Sequence, residues 1–235
     1  MKAMVLSSGG VDSATALGMA VEKYGRDNVI ALAVSYGQKH DKELQAARAV
    51  AGFYQVEALF LDLYSIFQYS DSTLLKQSKE EIPKGSYEVQ QRGELKPVST
   101  YVPFRNGLFL SAAASLALSK GCSVIYYGAH KDDGAGAAYP DCSPAFHRAI
   151  SQAVWEGSGG QVRIEAPFID KNKKEVVKIG LSLGVPYELT WSCYEGGEVP
   201  CQKCGTCLDR AAAFAANGAA DPALGKAEGE KHERK

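Results

Sequence analysis

Four short apolar runs, at residues 3–6, 29–34, 56–61 and 124–127, alternate with segments whose apolar residues recur at helical spacing. Runs this short, apolar except for Glu57, predict strands buried on both sides. Between the first two runs, Ala16, Leu17, Ala20, Val21 and Tyr24 fall on one face of a helix that Gly25 ends. Between the second and third, Leu44, Ala47, Val50 and Ala51 repeat the pattern. Strand, helix, strand, helix, strand with short connections predicts an α/β fold, a doubly wound parallel sheet covered on both faces. Ligands of such sheets bind beyond the carboxyl ends of the strands.

The alternation stops at residues 70–100, a polar stretch with Pro83, Gly85, Gly93 and Pro97 that reads as an inserted lid or loop region. Helical spacing returns at 106–118, 144–155 and 173–183, the last stopping at Gly184 and Pro186. A cysteine cluster follows, then a short Ala-rich helix around 209–216. The expected organisation is an α/β domain over 1–190 containing the 70–100 insertion, a small C-terminal metal-binding lobe over 191–216, and a mobile tail over 217–235. That tail, which includes His232, is small and charged with few apolar residues to dock it.

Of the 235 residues, 46% are hydrophobic, and 26 Lys and Arg face 27 Asp and Glu for a net charge of −1. No summed positive field attracts a nucleic acid, so the expected partners are small molecules. No apolar run approaches the ~18 to 20 residues of a membrane span, and the start passes into Gly9 and Gly10 without a signal-peptide core. A cytoplasmic protein with no membrane partner is expected. Of its six cysteines, Cys193, Cys201, Cys204 and Cys207 fall within 15 positions. In a reducing compartment this clustering reads as metal. The spacing C-x7-C-x2-C-x2-C offers four soft ligands to one tetrahedral ion, with backbone N–H groups able to donate to the sulfurs and Lys203 and Arg210 able to offset their charge. Four filled positions leave no room for a catalytic water, so a structural Zn²⁺ is expected; an iron–sulfur cluster uses the same ligands.

The first strand runs into Ser7, Ser8, Gly9, Gly10, Val11, Asp12 and Ser13, where the first helix opens. A Gly-Gly pair in a strand-to-helix turn lets backbone N–H groups approach an anion, and the helix N-terminus adds unpaired donors. Neither G-x-x-x-x-G-K-[ST] nor G-x-G-x-x-G is present. Asp12 beside a phosphate suits a bridging Mg²⁺. The plainer reading is a tight turn with Asp12 capping the helix.

The string Ser8-Gly9-Gly10-Val11-Asp12-Ser13 resembles the SGGxDS signature of the PP-loop ATP pyrophosphatases, which cleave ATP between the α and β phosphates. The further strings Tyr36-Gly37-Gln38-Lys39-His40, Val102-Pro103-Phe104-Arg105-Asn106, Tyr139-Pro140-Asp141-Cys142 and Thr190-Trp191-Ser192-Cys193-Tyr194, in that order, resemble the 7-cyano-7-deazaguanine synthase family over residues 3–214. The resemblance implies a PP-loop ligase that turns 7-carboxy-7-deazaguanine, ammonia and ATP into the nitrile precursor of queuosine and archaeosine. It implies Asp12, Ser13 and Lys173 as catalytic residues, and Ser8, Gly9, Gly10, Val11, Asp12, Ser13 and Arg105 as ATP contacts. Asp141 and Asn106 would bind the substrate, Asp141 by accepting from a guanine-type edge, with turn capping as its plainer role. The chain departs from the usual family form at residues 131–146, which are slightly longer, and at Ser143, where Arg often follows the Cys. No amidotransferase domain is expected within these residues, so ammonia would come from solution or a partner; a homodimer stays open.

His40 is expected to face the crevice in a supporting role, and His130 and His147 lack metal-like spacing. Cys122, Tyr126 and Tyr127 are expected to pack in the core, and Cys142 lacks the companion thiol that sulfur transfer needs. Two other functions remain open, a PP-loop tRNA sulfurtransferase and an inactive nucleotide-binding zinc module. The first needs a catalytic thiol pair or cluster and a basic surface.

Overall fold

The computed structural model describes residues 1–91 and 93–224. Strand β1 (Ala3–Leu6) leads into α1 (Val11–Tyr24), β2 (Val29–Ser35), α2 (Lys42–Tyr54) and β3 (Glu57–Asp62). The short α3 (Tyr64–Phe67) and α4 (Tyr87–Gln91) precede α5 (Arg105–Lys120), β4 (Val124–Tyr126), α6 (Lys131–Gly134) and α7 (Pro144–Gly157). Strand β5 (Arg163–Glu165), α8 (Lys173–Ser182) and α9 (Gly205–Ala216) complete the order.

The five strands are parallel, in the order β3-β2-β1-β4-β5. From β1 the chain steps outward to β2 and β3, then returns to β4 and β5 on the other side of β1. The direction of winding reverses there, which opens a crevice at the carboxyl ends of β1 and β4. Alternation along β1 shows why both faces are covered. Ala3 and Val5 join a core with Leu17 of α1, Val176 of α8 and Phe214 of α9, while Met4 and Leu6 join a second core with Leu110 of α5 and Val154 of α7.

Local chemistry sets the element ends. Helix α1 stops at Gly25, whose φ of 76° is left-handed. Helix α8 opens on a full capping box between Asn172 and Glu175. Ser143 accepts from the Phe146 N–H and caps α7, with Pro144 as its first residue.

Three expectations change. Strand β5 was not anticipated, because a single Ile164 between Arg163 and Glu165 makes no apolar run; it forms by pairing with β4. The 70–100 insertion is docked: Leu75 is fully buried, Val98 joins the second core, and α4 lies within it. The tail is packed as far as it is described, with Ala219 against the first core and Asp221 bound to Arg210. Residues 225–235, with His232, lie outside the described residues. Cys122 and Tyr126 pack in the cores as expected. No described helix is long and apolar enough to cross a membrane.

Candidate active site

The turn after β1 is the first wall of the crevice. Gly9 has a φ of 83°, and a Cβ there would lie 2.4 Å from the Glu43 carbonyl oxygen and 2.5 Å from the Ala47 nitrogen. Glycine is what lets the turn seat against α2. Gly10 opens α1 with no side-chain cap, so the first-turn N–H groups keep their donors for a ligand. The Ser8 and Ser13 hydroxyls lie 3.1 Å apart, and Ser13 Oγ donates to the Gly10 carbonyl. Ser8, Gly10, Val11, Asp12 and Ser13 all line one cavity; Gly9 stands behind them. Across the crevice, Gly128 at the exit of β4 comes so close that a Cβ would meet Asp12 at 3.0 Å.

Charge concentrates at this end. Lys173, the first residue of α8, pairs with Asp12 through Nζ and Oδ2, and its backbone N–H donates to Asp132 at 2.8 Å. Burial pushes the Asp12 carboxyl up, but the Lys173 and His130 charges outweigh it and hold it below the usual range. His130 Nε2 lies 3.3 Å from Asp133 and 3.8 Å from Asp12. Burial raises Asp133, with His130 only partly opposing, and raises Asp209 on α9 against the pull of Lys173.

The opposite end is aromatic. Arg105 Nη1 donates to the Tyr36 hydroxyl at 3.1 Å, and the guanidinium stands 5.2 Å from that ring's centre. The hydroxyls of Tyr87, Tyr139 and Tyr194 meet, Tyr194 lying 3.1 Å from Tyr87 and 3.4 Å from Tyr139. These three residues come from the insertion, the segment before Asp141 and the cysteine segment. Asn106 lines the cavity, and its Nδ2 donates to the Asp141 carbonyl and to Cys142 Sγ.

Asp141 differs from the sequence expectation. It is 4% exposed and is not among the residues lining the cavity; its Oδ2 accepts from the Asn106 backbone N–H at 2.8 Å. The carboxylate thus serves the N-terminus of α5, the capping role weighed above, and steadies Asn106 from behind.

The four cysteines come together as the spacing predicted, with all four Sγ atoms within 4.8 Å of one another. Four thiolates on a tetrahedral ion at the Zn–S distance stand about 3.8 Å apart, so the donor set fits a metal. Backbone N–H groups of Glu195 and Cys201 point at Cys193 Sγ, and those of Lys203 and Cys204 at Cys201 Sγ. Hydrogen bonds among the sulfurs pull Cys193 below the ordinary thiol value and push Cys204 and Cys207 above it, as when two thiols donate to one thiolate. Arg210 does not offset the sulfur charge: its guanidinium is buried and spent on Asp221, Thr190, Ser192 and the Tyr187 carbonyl. His40 turns to this lobe too, its Nε2 3.1 Å from the Cys193 carbonyl, and does not line the cavity.

The lobe closes the cavity. Trp191, Ser192, Tyr194, Thr206 and Asp209 form part of its wall, and the Trp191 N–H donates to the Gly9 carbonyl at 2.9 Å. Among the sequence candidates, Ser8, Gly10, Val11, Asp12, Ser13, Arg105, Asn106 and Lys173 share this cavity. Sequence reasoning missed His130, Asp133, Asp209 and Tyr127 as wall residues. For His130 and Asp133 a signal existed, since an N-cap residue and the residue three after it lie close together at the helix entry. Tyr127 was expected only as core, yet it contributes to both.

Comparison with known proteins agrees with this geometry. The family model described as "Queuosine biosynthesis protein QueC" matches residues 2–218. A protein of Archaeoglobus fulgidus named 7-cyano-7-deazaguanine synthase is 45% identical, covering 95% of this chain and 90% of its own length. One of the same name from Oceanobacillus iheyensis is 41% identical, over 94% and 96%. Among solved structures, the U34-tRNA thiolase NcsA from Methanococcus maripaludis with its 4Fe-4S cluster has a TM-score of 0.50 at 18% identity. That alignment covers 79% of this chain and 57% of the thiolase, a likeness of fold alone. The match along nearly the whole sequence, with the signature loop at the switch point of the sheet, means that the chain belongs to the QueC family of 7-cyano-7-deazaguanine synthases.

Proposed function

We propose that this protein is an ATP-dependent ligase that converts 7-carboxy-7-deazaguanine and ammonia to 7-cyano-7-deazaguanine. The observation that carries the reading is the uncapped N-terminus of α1, opening into the same cavity as Lys173, Arg105 and Asn106. Making a nitrile from an acid removes two oxygens, each a poor leaving group, so ATP activates each in turn. The substrate carboxylate attacks the α-phosphorus and pyrophosphate leaves; ammonia displaces AMP to give the amide. The amide oxygen is adenylated in the same way and departs in AMP as the nitrile forms.

In this reading the N–H groups of Val11 to Ser13 and the Ser8 and Ser13 hydroxyls hold the departing pyrophosphate, and Lys173 neutralises its developing charge. Arg105, expected from the resemblance as an ATP contact, stands with Asn106 at the aromatic end, where both would position the substrate, and Asp141 positions Asn106. Oδ1 of Asp12 is buried without a partner. A hard, unpartnered oxygen beside a phosphate site fits Mg²⁺, which Asp12 would hold and which would supply further neutralisation of phosphate charge. The four thiolates would hold one Zn²⁺ in a structural role, since they leave no open coordination position. The lobe's residues then complete the wall that keeps water from the adenylates.

The test is product analysis. With ATP, ammonium and the carboxylic acid, the expected products are the nitrile, AMP and pyrophosphate. ADP and phosphate with no AMP would reject the α-phosphate assignment.

A further inference from the structure

We infer that Asp133 is the general base that takes protons from the substrate nitrogen, once in amide formation and again in nitrile formation, with His130 as its positioning residue. The inference rests on the ligase reading and asks what that reaction needs beyond ATP activation. When ammonia attacks the acyl-adenylate, the new C–N bond leaves a positively charged nitrogen. One N–H proton must leave as AMP departs. In the second half the adenylated amide, R–C(=NH₂⁺)–O–AMP, first sheds one N–H proton to solvent to give the neutral imidate R–C(=NH)–O–AMP, whose last N–H proton goes to the base once the base has returned the proton of the first half to solvent. The electron pair of the last N–H bond becomes the third bond of the nitrile, while the C–O electron pair leaves with AMP. Each half-reaction thus removes protons from the same nitrogen, so one base placed there serves both.

The described cavity wall carries four carboxylates, those of Asp12, Glu43, Asp133 and Asp209. Asp12 is paired with Lys173 at the pyrophosphate end. Glu43 stands at the start of α2, where its charge acts on Tyr36, and Asp209 belongs to α9 of the cysteine lobe. Asp133 lies between the two ends. Its short helix α6 packs against the Cys142 segment, where a Cβ at Gly134 would come within 3.3 Å of the Cys142 carbonyl oxygen. The Tyr139 N–H donates to the Asp133 carbonyl at 3.1 Å. Its side chain meanwhile faces His130 at 3.3 Å, and through it the Asp12 and Lys173 pair. The charge of Asp133 reaches Tyr87, Tyr139 and Cys142 on one side and Asp12 and Asp209 on the other. That junction is where the acid bound at the aromatic end must meet the α-phosphate.

His130 explains how the carboxylate is aimed. Its side chain is 4% exposed, the residue bridges Phe168 at the exit of β5, and Lys131 beside it donates to the Lys171 carbonyl. The His130 Nε2 stands between the two carboxylates and nearer Asp133, so it would hold one Asp133 oxygen when it carries the hydrogen. The other Asp133 oxygen is left to accept from substrate. Burial also raises the proton affinity of Asp133 above that of an ordinary carboxylate, whereas Asp12 is pulled the other way.

The experiment separates adenylation from proton removal. Acid-dependent exchange of labelled pyrophosphate into ATP reads the first adenylation alone, and nitrile yield, starting from the acid or from the amide, reads the later steps. Asp133→Asn is expected to keep exchange within about threefold of the parent while nitrile formation from either substrate falls about 10²- to 10⁴-fold. Asp133→Glu should recover part of that loss. His130→Gln should lower kcat for the nitrile with KM for the acid unchanged. Nitrile formation by Asp133→Asn within about threefold of the parent would overturn the assignment. So would loss of exchange and nitrile together in both Asp133 variants, which is what a structural role would give. A parent protein that shows no acid-dependent exchange would instead reject the ligase reading itself, and the base with it.

Discussion

The phosphate loop and the cysteine lobe touch through one hydrogen bond, from Trp191 to Gly9, yet different forces hold them in shape. The loop is a turn between β1 and α1, whose Ala3, Val5, Ala14 and Leu17 are almost fully buried in a large apolar core. The lobe's own buried cluster is Ile82 with Cys193, Cys204 and Cys207. Even Ile82 is lent by the insertion, which adds the Lys84 and Glu195 ion pair and a hydrogen bond from Gly85 to Lys203. Burial of apolar surface is enough to build the loop. Helix α9 docks on the first core through Ala213 and Phe214, but the cysteine segment ahead of it has little else to bury, and metal binding would have to supply the difference.

The sharpest way to break this contrast is to remove a thiol. Cys204→Ser should lower metal content from about one per chain toward zero and abolish nitrile formation, since apparent zinc binding free energies of about 10–16 kcal/mol become folding free energy in such sites. Elemental analysis beside the activity assay checks it, and a variant that keeps both fold and activity without metal would erase the contrast.

A smaller loss is expected at the seam between lobe and body. The side chains of Arg210 and Asp221 are 5% and 7% exposed and joined by two hydrogen bonds of 2.7 and 2.8 Å. Asp221→Ala strands the guanidinium and should cost about 3–5 kcal/mol in denaturant unfolding, more than any single loop contact. A cost below about 1 kcal/mol would mean that the tail adds nothing to the lobe.

In the loop the effects should fall on catalysis. Lys173→Met is expected to lower kcat by about 10²- to 10³-fold, as loss of one preorganised charge-stabilising donor does. Ser13→Ala should lower it about fivefold, for one hydrogen bond of about 1 kcal/mol. Neither should change metal content, and metal loss in either would tie loop and lobe together. The smallest effect is on acid stability. Asp12 is held below its ordinary value of 3.8, so its contribution is present above that value and drains away as pH falls through the depressed one. Asp12→Asn should therefore unfold with a shallower dependence on pH below about 4 than the parent.

The same contrast decides what the sequence makes legible. The strands β1 to β4, the turn at Gly9 and Gly10 and the cysteine spacing are local patterns, and each forms where its residues predicted, though β3 lies at the sheet edge and is largely exposed instead of buried on both sides. Strand β5 is three residues long and exists only through its neighbour β4, so no local run announces it. The tyrosine hydroxyls and Asp133 reach the cavity from separate segments, a convergence that only the packed sheet creates. Asp141 is ambiguous for another reason: a carboxylate after a proline suits a ligand edge and a helix N-terminus equally, and the Asn106 N–H at 2.8 Å is a contact that only the packed structure reveals. Arg210 and Asp221 form a buried pair that composition hides, because one Asp among small residues looks like solvated tail.

The most direct test of the function is stoichiometry in a single reaction of the metal-loaded protein with ATP, ammonium and 7-carboxy-7-deazaguanine, read by mass spectrometry and nucleotide analysis. The account predicts a product bearing a nitrile, with the amide appearing first, and two AMP and two pyrophosphate for each nitrile. A nitrile formed with one AMP, or AMP release that yields neither amide nor nitrile, would contradict it.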